Sequence, residues 1–132
     1  MNTTDRILGE ARKARPPTKR ERTDPRLAYE YAVDVLGGRF PEGEATIATD
    51  PQWACSYAVD VIGGRFPRGE ATIVTDPEWA YEYAINAIKG RFQEAEATIA
   101  TSPDAWAKWY LEAFPEAKLE FAMNGWLDWL DL

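Results

Sequence analysis

The chain has 132 residues, 45% of them hydrophobic, with six tryptophans, one cysteine, no histidine and a formal charge of −7. That suffices for one domain with a small core. It excludes an internal disulfide framework, a membrane span of roughly 18 apolar residues, and any histidine general base or metal ligand.

The first 22 residues carry seven Lys or Arg against Asp5, Glu10 and Glu21. The remaining 110 hold 8 basic and 19 acidic groups. A basic arm, residues 1–22, thus leads an acidic body that repels nucleic-acid phosphates and attracts basic surfaces. Direct nucleic-acid binding is not expected except through the arm. Thr3 or Thr4 is placed to cap a short helix carrying Ile7, Leu8 and Ala11, which Pro16-Pro17 stops. Thr18 to Thr23, TKRERT, has the composition of a solvated linker. No apolar leader follows Met1, and the lone Cys55 suits a reducing compartment, so a cytoplasmic location away from membranes is expected.

From Thr23 the chain repeats every 26 residues. Residues 23–48, 49–74 and 75–100 are three copies, the first two identical at 19 of 26 positions without a gap. Residues 101–132 form a degenerate fourth copy and a C-terminal cap. Each copy opens on Asp-Pro: Asp24-Pro25, Asp50-Pro51 and Asp76-Pro77. A carboxylate at the N-cap accepts free backbone N–H groups, and proline at the first helical position lacks the N–H that would be orphaned. A stripe at i, i+3, i+4, i+7 and i+8 follows, as in Ala54, Tyr57, Ala58, Val61 and Ile62. Gly37-Gly38, Gly63-Gly64 and Lys89-Gly90 end the helix, with glycine expected in the left-handed cap. Arg-Phe-Pro then starts a shorter helix with early acids, Glu42, Glu44, Glu70, Glu94 and Glu96, where the helix dipole favours them. The β-branched run ATIVT, Ala71 to Thr75, also permits a strand.

The expected fold is therefore all-α, a short solenoid-like array of long helix, turn and short helix with a C-terminal capping helix. The alternative is an α/β solenoid. A 26-residue unit cannot bury its own apolar face, so the copies must stack and the ends must be closed. In the fourth copy Ser102-Pro103 restarts the motif, but Phe114-Pro115 arrives 22 residues after Phe92-Gln93, where 26 are due. Pro115 to Met123 reads as helix, Asn124-Gly125 as a break, and Trp126 to Leu130 as a final turn.

The segment YAVDVIGGRFPRGEATIVTDPEWAYEYA resembles a short repeat found in proteins of bacteriophages, large viruses and bacteria: Tyr-Ala-x-Asp-Val-Ile-x-Gly-Arg-Phe/Trp-Pro-Glu-Ala/Gly-Glu. The likeness covers Thr23 to about Ala107 and is most specific at Asp60, Gly64, Arg65, Phe66 and Pro67. Asn86 and Gln93 depart from it in the third copy. It implies repeat architecture and a phage, viral or bacterial origin, and it carries over no catalytic residue.

No P-loop, dinucleotide fingerprint or nucleophile elbow occurs. Carboxylates are spread one copy at a time, without the asymmetric pair a glycosidase needs. No catalytic, cofactor-binding or metal-binding residue is expected. Arg39, Arg65 and Arg91 recur, so each is expected to pair with a repeated acid, Asp34 or Asp60, or Glu44, Glu70 or Glu96, or else to form a row of guanidinium groups for an acidic ligand. Trp53, Trp79 and Trp106 are expected in the core. Positions that differ among copies are where solvent and partner specificity are expected: Arg26, Gln52 and Glu78; Tyr29, Cys55 and Tyr81; Glu30, Ser56 and Glu82; Glu42, Arg68 and Glu94. Trp126 and Trp129 belong either to a capping turn or to a docking peptide. The expected function is non-catalytic protein–protein interaction with a host or phage protein, with self-association possible in principle. The alternative is an acidic viral inhibitor of a host defence nuclease, imitating nucleic acid.

Overall fold

The computed structural model describes residues 14–131. Among them every regular element is helical and no strand occurs. The possible helix begun by Thr3 or Thr4 lies outside the described residues. In chain order the elements are α1 (Lys19–Thr23), α2 (Pro25–Tyr31), α3 (Glu44–Ile47), α4 (Pro51–Tyr57), α5 (Pro67–Ile73), α6 (Pro77–Tyr83), α7 (Glu96–Ala100), α8 (Trp106–Ala113) and α9 (Lys118–Met123). A last 3₁₀ turn spans Trp129–Asp131.

The long helices α2, α4 and α6 start as their sequences dictate. The Asp24 carboxylate accepts from the Leu27 N–H at 3.0 Å, that of Asp50 from Gln52 at 2.9 Å, and that of Asp76 from Trp79 at 3.2 Å. A cap of this kind contributes about 1 kcal/mol. Each helix then widens into one π-helical turn, Ala32–Leu36, Ala58–Ile62 and Ala84–Ile88. Its closure is explicit in the second unit, where the N–H groups of Gly63 and Gly64 both donate to the Ala58 carbonyl. The apolar stripe satisfies α- and π-helix alike, so periodicity does not announce this turn.

Gly37 and Gly63 end their helices in the left-handed region, at φ 64° and 75°. The third unit departs from expectation, because Lys89 rather than Gly90 takes that conformation, at φ 58°. The hydrogen-bond count of the π turn places the left-handed residue first in the pair, whatever its identity.

The second half of each unit is also helical. Pro41–Gly43 and Gln93–Ala95 are 3₁₀ turns that run into α3 and α7, while Pro67–Ile73 is α throughout. The strand reading of Ala71 to Thr75 therefore fails. Val74 N–H reaches back to the Glu70 carbonyl at 2.9 Å, so the β-branched residues are held in helix by a proline start and by burial of Ile73.

Stacking puts the same slots inside in every copy. Ala28, Tyr31 and Ala32 recur as Ala54, Tyr57 and Ala58, and as Ala80, Tyr83 and Ala84, all buried. Phe40, Phe66 and Phe92 and then Ile47, Ile73 and Ile99 complete one continuous core. Within each unit the Tyr and Phe rings meet at 4.8 Å (Tyr31–Phe40) or 5.1 Å (Tyr57–Phe66, Tyr83–Phe92). The alanines allow the helices to approach and the rings fill the space between them.

The ends differ from the units. Thr18 to Thr23 is not a linker but the capped helix α1. The Thr18 hydroxyl accepts from the Glu21 N–H while the Glu21 carboxylate accepts from the Thr18 N–H. Tyr31 donates to the Arg15 carbonyl and Thr46 to the Arg22 carbonyl, so part of the basic segment closes the first unit. At the other end, Ser102-Pro103 forms a bend and α8 begins only at Trp106. Tyr110 and Phe114 are four residues apart where Tyr83 and Phe92 are nine apart. The five missing residues equal the π turn. Phe114 N–H then caps α8 by donating to the Tyr110 carbonyl at 2.8 Å. No helix among the described residues is long and apolar enough to cross a membrane.

Candidate interaction surface

The repeated arginines are the first candidates, and the structure gives each the same work. Arg39 donates through Nε and Nη2 to both oxygens of Glu44, at 2.9 and 3.0 Å. The Tyr57 hydroxyl, from the next unit, donates to the same carboxylate at 2.5 Å and accepts from the Phe40 N–H at 2.9 Å. Arg65, Glu70, Tyr83 and Phe66 repeat this relay, as do Arg91, Glu96, Tyr110 and Phe92. The Arg39 and Arg65 bonds hold the Glu44 and Glu70 carboxyls below the usual carboxylate range, against the opposing effect of burial. Burial and the bond to Glu44 push the Tyr57 hydroxyl up to about 12. Asp34 and Asp60 are not the arginine partners. Instead Asp60 accepts from the Tyr29 hydroxyl of the preceding unit.

The variable positions fall into two groups. Arg26, Glu42 and Glu78 are exposed, and Arg26 pairs with half-buried Glu30 one helical turn on, at 2.8 Å. Arg68 reaches back to Glu44 at 3.6 Å, and Glu82 accepts from the Asn86 amide at 2.9 Å. The Tyr29, Cys55 and Tyr81 slot contradicts the expectation of solvent. Cys55 is 3% exposed and both tyrosines are half-buried, because the slot faces the next unit. Burial, with Glu82 and Asp60 nearby, pushes the Cys55 thiol up to about 12 and suppresses its thiolate. Trp53, Trp79 and Trp106 are half-buried at the core margin. Trp53 packs on Tyr29 at 5.3 Å and Trp106 on Tyr81 at 5.7 Å, both pairs tilted.

The C-terminal unit presents a different surface. Tyr110 and Phe121 occupy the slots of Tyr83 and Ile99, which aligns Trp109 with Glu82, Leu119 with Ala97 and Met123 with Thr101. A half-buried acid and two exposed small or polar residues have given way to large apolar ones, and all three of these are exposed, Met123 at 68%. Trp126 returns over Phe121 edge to face at 5.4 Å, its N–H donating to the Phe121 carbonyl. It belongs to the cap. Trp129 is 56% exposed and Leu130 more so. A groove of about 360 Å³ in the same unit is lined by Leu111, Phe121, Trp126 and Leu127 together with Lys108, Glu112 and Lys118. Sequence reasoning singled out Trp126 and Trp129 for a partner, placed Trp109 with Trp106 and Tyr110 on the repeat's aromatic face, and did not single out Leu119 or Met123. Aligning the fourth unit through Tyr110 and Phe121 separately, not by a constant 26-residue step, would have shown them.

Among the described residues, no three His, Cys, Asp or Glu side chains are grouped to hold a metal ion. Comparison with protein-family models, curated proteins and solved structures finds no match.

Proposed function

We propose that the chain is a non-catalytic helical-repeat protein that binds another protein through its C-terminal unit, in a phage or bacterial setting. The observation that carries this is the replacement of Glu82, Ala97 and Thr101 by Trp109, Leu119 and Met123, all three exposed, in an otherwise repeated frame. Trp109 also packs within the chain, edge to face on Trp106 at 5.1 Å, but 43% of it stays exposed, as do more than half of Leu119 and Met123, and exposed large apolar groups favour a partner. The test is capture from host-cell lysate by the full chain and by a triple variant, Trp109→Glu, Leu119→Ala and Met123→Thr, which restores the repeat's own residues. A partner held by the first and lost by the second, with both proteins folded at the temperature of capture, supports the reading. Equal capture by both overturns it. Recovery of the chain alone, lost in the variant, would make the partner a second copy.

The acidic decoy reading has one observation in its favour. Asp60, Asp34 and Glu30 all lie near Tyr29 and, after burial, are what push its hydroxyl up to about 12, so acids of two units share one face. Ser56 and Asn86 interrupt that series. Inhibition of a defence nuclease that falls steeply with salt would favour it over the apolar surface.

A further inference from the structure

Trp79, Asn86 and Cys55 meet at a pocket of about 190 Å³ between the second and third units, with Ser56, Val59, Asp60 and Glu82 completing its wall. One repeat earlier, the counterparts of the first three residues are Trp53, Asp60 and Tyr29. There the Tyr29 ring lies 5.3 Å from Trp53 at an interplanar angle of 37°, and its hydroxyl donates to Asp60. One repeat later the ring contact recurs, with Tyr81 5.7 Å from Trp106 at 39°, and Trp109 adds a second ring at 6.3 Å. The frame therefore holds three phenol positions and the sequence fills two. At the middle one, Cys55 stops short and the receiving surface stays open.

We infer that this pocket receives a phenol ring supplied by another molecule, the side chain of a tyrosine on a protein partner. The inference rests on the reading of the chain as a protein-binding module and names a chemistry for its partner. The neighbouring units show how the ring sits. It lies against Trp79, tilted as Tyr29 is on Trp53, and its O–H donates to the side-chain oxygen of Asn86, whose NH2 group donates to Glu82 at 2.9 Å. The pocket is open on one side, so it covers one face and an edge of the ring and leaves the rest to solvent or to the partner. Asp60 and Glu82 at the rim repel a phenolate and favour a tyrosine flanked by Lys or Arg.

The experiment is a titration of the ¹⁵N-labelled full chain with N-acetyl-tyrosine amide, p-cresol and N-acetyl-phenylalanine amide. Saturable shifts at the Trp79 indole and Asn86 amide are expected with the tyrosine analogue, with Kd on the order of a millimolar. Cys55→Tyr, which supplies the missing ring, should weaken binding at least about ten-fold, one decade in Kd, and raise the melting temperature. Cys55→Phe should also block the pocket, and it serves if the tyrosine variant folds poorly. No saturable shift, equal shifts in both filled variants, or equally tight binding of the phenylalanine analogue overturns the inference. Binding of p-cresol without the tyrosine analogue overturns its protein source. The titration needs no partner, so failure of the pocket is distinct from failure of the lysate capture.

Discussion

Tyr57 reaches from the second unit into the first and bonds Glu44 at 2.5 Å, while its oxygen accepts the buried Phe40 N–H. One hydroxyl thus satisfies a backbone donor and a carboxylate that lie outside its own unit. Tyr57→Phe keeps the ring and strands the amide. It should cost about 1–3 kcal/mol, the penalty for a buried donor left unpaired. Chemical denaturation of the two proteins measures this, and a loss below a few tenths of a kcal/mol would contradict it.

The three arginines should not be equal. The Arg65 side chain is 48% exposed and serves Glu70 alone, whereas Arg91 is 15% exposed and serves both Glu96 and Glu120. Solvent screening limits Arg65→Ala to about 1 kcal/mol. Arg91→Ala uncovers a better-buried carboxylate and should cost about 2–3 kcal/mol. Partner binding per folded molecule should be unchanged in both, as read from titrations corrected for the folded fraction. Lost binding at unchanged stability would instead make the arginines ligand contacts.

Lys89 carries a side chain in the left-handed conformation that Gly37 and Gly63 adopt in the other units. Lys89→Gly removes that strain, offset in part by the greater freedom of glycine in the unfolded chain. A net gain of about 0.5–1 kcal/mol is expected, visible as a higher melting temperature. A lower one would show that the lysine side chain has a compensating contact.

Stability should fall at both ends of the pH scale. Glu44 and Glu70 titrate lower folded than unfolded because Arg39 and Arg65 bond them. Their contribution is complete above the unfolded value of about 4.3 and is lost as pH falls through the folded values. Tyr57 moves the other way, up to about 12. Its contribution is complete below the unfolded value of about 10 and is lost as pH rises towards the folded one. A melting-temperature profile should therefore show a plateau between these limits, and Tyr57→Phe should flatten its alkaline limb. An alkaline limb of equal steepness in the variant would count against this assignment.

The helical frame was legible because its signals are local. Asp-Pro starts, the Tyr–Ala stripe and glycine stops each act within a few residues, and the period of 26 required stacking. The link from Arg65 to Glu70 was among the readings open at that level, being a matter of five residues and recurrence. The receiver of the third bond was not. Tyr83 lies 13 residues beyond Glu70, and only the stacking angle of the units brings the two together. The π turns escaped for another reason, since one apolar stripe serves two helical forms. Cys55 was misplaced because variation among copies was equated with exposure. It varies at a boundary between units, where a change in one copy alters a cavity and not the surface.

Among the described residues no tyrosine hydroxyl meets the Phe114 N–H, which turns to the Tyr110 carbonyl of its own helix. Loss of five residues thus breaks the register of the series at its fourth unit. The three preceding copies offer each other the same pair of faces. Genetic duplication of a 26-residue block ahead of Thr101 would therefore add one layer without any new interface having to arise.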